Sequence, residues 1–145
     1  VQCDGTPGIV QLNHPGRQSP LGSGTKGFFE KNIAPSAVGM NVGDAFIARA
    51  AAAILFGTPR AMTEAEISHV VERFAATAKF LCDVGFKGIE IHAAHGYLLA
   101  QFLSSKSNQR TDQYGGSPAN RARLTVEIIT AIRRVVSKTF AIGIK

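Results

Sequence analysis

The residues best suited to chemistry in this chain are His92, His95 and Tyr97, which follow one another across a single short stretch, Gly88-Ile89-Glu90-Ile91-His92-Ala93-Ala94-His95-Gly96-Tyr97. Imidazole and phenol groups donate hydrogen bonds and pass protons to and from reacting atoms. The stretch reads as a short buried strand that ends in these groups as the backbone leaves the sheet. In parallel α/β proteins the carboxyl ends of strands face the ligand crevice. Strand alternation sends Ile89 and Ile91 to one face, Glu90 and His92 to the other. Glu90 reads as a structural carboxylate that needs a partner. His92 stands one step higher, at the rim, and the Ala93-Ala94 turn brings His95 close to it.

Three roles compete for the histidines. A His-x-x-His pair needs a third ligand to hold a metal, and no carboxylate or cysteine is suitably spaced, so no metal is expected. Each could be an ordinary core histidine. Paired donors to one carbonyl or anionic oxygen fit the rim position better, and that reading is favoured. Tyr97 could simply pack its ring, or it could deliver a proton at the same rim. Gln11 and His14 come at the end of an earlier strand, and Lys145 at the end of a later one. An amide suits the edge of a heterocycle, and a cation there could offset negative charge.

The elements that must position these groups are legible in outline. Gly8 to Asn13 reads as a first strand. Ser19 to Gly43 reads as a long loop and Asp44 to Phe56 as a short helix, an excursion over 19–58 that Gly57-Thr58-Pro59 closes. Thr63-Glu64-Ala65-Glu66 is a capping box. Behind it Ile67, Val70, Val71, Phe74, Ala75, Ala78, Leu81 and Cys82 recur at helical spacing, and Gly85 ends the helix. A strand over Lys87 to His92 follows. Ser117-Pro118 opens a second helix, with Leu124, Ile128, Ala131, Ile132 and Val135 as its apolar face. Phe140 to Lys145 reads as a third strand. This is the βαβαβ alternation of a parallel sheet. Three strands cannot close a barrel, so a portion of a larger fold is expected.

Composition narrows the function classes. With 45% hydrophobic and 18% charged residues in 145, the chain is an ordinary globular one. The longest mainly apolar run, Ala45 to Phe56, carries Arg49 and is too short to span a bilayer. No secretory signal pattern is visible; a cytoplasmic protein without a membrane partner is expected. The net charge of +6 is spread out, densest at Arg121/Arg123 and Arg133/Arg134. That reads as a solvated helix face, with no nucleic-acid partner expected. Cys3 and Cys82 lack metal-ligand spacing, and Cys82 reads as a buried reduced thiol.

Taken together, Gln11-Leu12-Asn13-His14-Pro15-Gly16-Arg17, Pro59-Arg60-Ala61-Met62-Thr63, the run from Gly85 to Ser104, Ser107 to Ser117 and Asn120-Arg121 resemble the old yellow enzymes, FMN-dependent NAD(P)H oxidoreductases and ene-reductases. The resemblance implies an α/β fold, a partial (β/α)8 TIM barrel comprising approximately strands 3 to 5 with their helices, so that residues 1–145 form a fragment of one FMN-binding domain. It implies FMN as cofactor and NAD(P)H as reductant. Gln11 and Lys145 would contact the flavin, His92 and His95 would bind the substrate oxygen, and Tyr97 would be the proton donor. The implied reaction is ping-pong reduction of an α,β-unsaturated carbonyl compound, by hydride transfer to Cβ and protonation of Cα. Asn108 through Gly116 resemble a structural loop that holds the rim. Lys145 stands where the family more often has Arg, and Ala119 where it more often has Glu. The alternative expectation is a truncated, non-catalytic remnant that does not bind FMN alone, or that self-associates through open sheet edges.

Overall fold

The computed structural model describes residues 4–20, 22, 27, 30–40, 42, 43 and 45–145. Three parallel strands form its sheet: β1 (Ile9–Leu12), β4 (Gly88–Ile91) and β5 (Ala141–Ile144), in the order β1-β4-β5. The register pairs Gln11 with Glu90 and Glu90 with Gly143. A second, two-stranded parallel ladder joins β2 (Ile33–Ala34) to β3 (Arg60–Ala61). The alternation of strands and helices is thus as expected, and the sheet is open, not a closed barrel.

Helix α1 spans Phe46–Phe56, two residues inside the expected Asp44 start; Asp44 itself, like Cys3, lies outside the described residues. Helix α2 (Glu64–Asp83) begins with the capping box expected at Thr63: the hydroxyl accepts from Glu66 N–H at 3.2 Å while the Glu66 carboxylate accepts from Thr63 N–H at 2.9 Å. Its buried face is Ile67, Val70, Phe74, Ala75, Ala78 and Leu81. Cys82, expected buried, is only half-buried, at the margin of that stripe. Helix α3 (Leu98–Leu103) was not foreseen, and helix α4 (Pro118–Val135) starts at its Ser117 cap as expected. Leu124, Ile128 and Ile132 of α4 are fully buried. Val135 departs from the expected stripe and is 41% exposed; the inward place on the next turn goes to Val136, which packs on the core.

Ile89 and Ile91 are buried with these helices in one core. The chain's alternating pattern therefore leaves Glu90 and His92 on the opposite face, with Gln11 and Lys145 beside them. Among the described residues no helix is long and apolar enough to cross a membrane.

Replacing Thr63 with Ala removes one half of the cap and should lower stability by about 1 kcal/mol. Ile128→Ala at the helix–helix contact should cost about 2–5 kcal/mol. Urea unfolding followed by circular dichroism reads both, and a larger loss at Thr63 than at Ile128 would contradict this division.

Candidate active site

Backbone pairing continues past the strand ends and pins the rim. His92 N–H donates to Leu12 C=O at 2.9 Å, Lys145 N–H to Ile91 C=O at 3.0 Å, and Ala93 N–H to Lys145 C=O at 2.9 Å. His92, buried with 5% of its surface exposed, thus lies between the ends of β1 and β5.

The next residues turn sharply. His95 adopts φ 54° and Gly96 φ 70°, two left-handed residues in succession, an arrangement a histidine tolerates better than most side chains do. The turn brings His95 Nδ1 to 3.2 Å from His92 Nε2. The two rings meet edge to face with centroids 4.9 Å apart, and the Tyr97 ring meets His92 likewise at 5.0 Å. Tyr97 is half-buried at the start of α3, His95 exposed. Sequence reasoning singled out these three residues, and the structure brings them together.

A backbone donor sets the direction of the pair. Ala94 N–H donates to His92 Nδ1 at 3.2 Å, so that nitrogen is an acceptor and the neutral ring carries its proton on Nε2. His92 Nε2–H then donates to His95 Nδ1, and His95 holds its own proton on Nε2. Burial pushes the His92 pKa below its usual 6.5; the neighbouring His95 and Lys145 push it the same way, and Glu90 opposes them weakly. A second proton would have to sit on Nδ1, facing the Ala94 N–H. His92 is therefore held as a neutral donor.

Gln11 sits one step below the rim. Its Nε2 donates to Glu90 Oε2 at 2.5 Å, which gives Glu90 the partner its position requires and leaves the Gln11 carbonyl oxygen as an acceptor. Lys145 lies on the same face of the sheet and is exposed. His14 does not join this group. Its Nδ1 accepts from Gly16 N–H at 3.0 Å, and its ring lines a separate cavity of about 460 Å³ between β1, α2 and β3, with Arg73 and His69. Burial first, then the Arg73 charge, lowers its pKa as well.

The Asn108 to Gly116 loop, expected to hold the rim, is structural, but the bonds that follow anchor it to α3 and the ends of β2 and β3 and not to the His92–Tyr97 turn. Asn108 Nδ2 donates to Phe102 C=O and Tyr114 C=O, both at 2.7 Å. Arg110 pairs with Asp112 and donates to Pro35 C=O at 3.1 Å and Met62 C=O at 2.6 Å. Two residues that sequence reasoning passed over, Gln18 and Gln101, bond to the backbone of the His95-Gly96 turn. A glutamine inside the otherwise apolar run Leu98 to Leu103 was the available signal for the second. Among the described residues no three His, Cys, Asp or Glu side chains are grouped to hold a metal ion.

Parallel strands, helices α2 and α4 sharing one core with Ile89 and Ile91, and polar groups gathered at the carboxyl ends make this a portion of a (β/α)8 barrel. The chain belongs to the NADH:flavin oxidoreductase / NADH oxidase family, whose model matches residues 1–145. It is 57% identical over 140 residues to the NADH-dependent flavin oxidoreductase iccE of Talaromyces variabilis, covering 97% of this chain and 34% of that protein. An NADPH dehydrogenase of Clostridium acetobutylicum is 40% identical over 138 residues, with 95% and 35% covered. The structure of morphinone reductase superimposes with a TM-score of 0.80 at 33% identity, over 99% of this chain and 38% of that one. The chain thus spans about a third of the length of these relatives. The old yellow enzyme resemblance and the partial-barrel expectation are both borne out.

Acid should act on the fold in two stages. His92 and His14 bind protons more weakly in the folded chain than at the usual 6.5, so below about pH 6.5 the unfolded chain takes up more protons and stability falls. Glu66, held down to about 2 by Arg60 and the Thr63 backbone, contributes stability above its usual 4.5 that is lost as pH falls toward 2. Urea midpoints measured against pH should fall from pH 6.5 downward, and His92→Gln should flatten the first stage. An unchanged slope in that variant would contradict the lowered His92 pKa.

Proposed function

We propose that this rim belongs to an FMN-dependent NAD(P)H oxidoreductase that reduces activated alkenes, α,β-unsaturated carbonyl compounds above all. The observation that carries the reading is the His92–His95–Tyr97 cluster: two imidazole donors and a phenol on one rim, with His92 kept neutral. A carbonyl oxygen arriving there accepts the His92 Nε2–H in place of His95 Nδ1, and His95 adds its own N–H. Two such donors stabilise the negative charge that develops on that oxygen as the β-carbon gains a hydride. Tyr97 then gives its phenolic proton to the α-carbon, so that one hydride and one proton together saturate the double bond.

The donor set also fits a flavin. The Gln11 carbonyl oxygen can accept from a ring N–H, and Lys145 can offset negative charge on the reduced ring, both from the face that carries His92. FMN held there would supply the hydride, with NAD(P)H as its reductant. The family membership and the NADH- and NADPH-dependent relatives support this reading.

A second reading, that these 145 residues alone do not retain FMN, is favoured by the openness of the same face, where Ile9 is 59% exposed. A visible absorption spectrum after incubation with FMN and desalting separates the two: stoichiometric yellow flavin supports a complete site, and a colourless protein supports the second.

In a flavin-loaded form that contains this rim, Tyr97→Phe should slow alkene reduction by about 10²–10⁴-fold while flavin reduction by NAD(P)H stays near the parent rate. Stopped-flow measurement of the two half-reactions decides. Equal losses in both would remove Tyr97 from the proton-donor role.

A further inference from the structure

Two left-handed residues in succession do not hold themselves in place, and the His95-Gly96 turn is gripped from both sides by side-chain amides. Gln18, in the short 3₁₀ turn Gly16–Gln18 after β1, donates from Nε2 to His95 C=O at 2.9 Å and to Gly96 C=O at 2.7 Å. Gln101, on α3 and 1% exposed, donates from Nε2 to the same Gly96 C=O at 2.7 Å and to Pro15 C=O at 3.2 Å. Its Oε1 accepts from Arg17 N–H at 3.2 Å. One amide therefore ties the turn after β1 to the turn after β4. The packing leaves it no room to drift: Gly16, at φ 59°, would put a Cβ 2.5 Å from Gln101 Oε1. A buried amide with every polar atom engaged escapes the cost of an unpaired buried group and rigidifies the segments it joins.

We infer that Gln18 and Gln101 are positioning residues for the histidine pair: they clamp the His95-Gly96 turn in its left-handed form and so hold His95 Nδ1 within hydrogen-bonding reach of His92 Nε2. Neither amide touches the reacting atoms. Their importance to turnover rests on the oxygen-binding role proposed for the pair, but the clamp itself does not. The two act unequally. Gln101 acts on the turn from within the core, and Gln18, half-buried and with its Nε2 on the two backbone carbonyls it grips, acts from the surface side.

The imidazoles report the clamp directly, without flavin or substrate. In the full chain labelled with ¹⁵N at histidine, His92 and His95 should each show a single Nε2–H tautomer. Gln18→Glu keeps the side chain's size but replaces its donor with an acceptor facing two carbonyls. The expected result is a His95 spectrum averaged between tautomers and amide exchange at Gly96 faster by about tenfold or more, with the fold retained by circular dichroism. Gln101→Glu, which keeps the acceptor for Arg17 N–H, should do the same and more strongly; if it fails to fold, Gln18→Glu decides alone. Thr63→Ala serves as control, lowering stability and leaving the imidazole signals where they were. A folded Gln18→Glu protein with parental His95 tautomer and parental Gly96 exchange would overturn the inference. Altered imidazoles with unaltered alkene reduction in a flavin-loaded form would leave the clamp standing and remove the donor-pair reading.

Discussion

The parallel pairing of β4 along both of its edges is the constraint from which the rest of the site descends. Side chains alternate along a strand, so a slip of one residue would exchange the faces and bury Glu90 where Ile89 now packs. The observed register instead lines up Gln11, Glu90 and Gly143 across the sheet and puts His92 beside Lys145 one step further on. The ladder does not stop at the last strand residue. Its final bonds are made by His92, Ala93 and Lys145, so the rim is built from the same hydrogen bonds that hold the sheet together.

Above that rigid edge the two histidines differ in kind. His92 is buried, fixed in tautomer by the Ala94 N–H and disfavoured from charging by its surroundings. His95 is exposed and borne on a turn. One donor is thus set by the core and the other by the loops around it. On the proposed reading, a site of this construction would offer a fixed point of attachment for an oxygen atom, with a second contact whose placement depends on neighbouring segments. Preorganised donors of the first sort lose least to rearrangement when charge develops.

Much of this was legible in the sequence. The capping box at Thr63, the Ser117-Pro118 helix start and the Ile89/Ile91 alternation all act locally, and local signals read true. What was missed lies in elements too short to show a period or in contacts that form only in the folded chain. The β2–β3 ladder is two residues long on each side, too short for periodicity to register. Helix α3 has six residues, below the length at which an apolar stripe declares itself. His14 shares the strand-end position of the other polar groups, yet its Nδ1 bond to Gly16 turns the ring toward α2. Gln101 looked like one polar residue in an apolar run, because the three segments it joins meet only in the folded chain.

The left-handed backbone at position 95 also limits what evolution or an engineer can install there. A second donor at the rim must come from a side chain that accepts φ near +54°, and few do. Asparagine shares with histidine both a short donor-bearing side chain and a tolerance for this region, whereas β-branched residues do not. The backbone turn therefore sets the small alphabet from which a donor side chain at this position can be drawn. Variation in which molecules are accepted would be expected to come from the surrounding loops before it came from position 95.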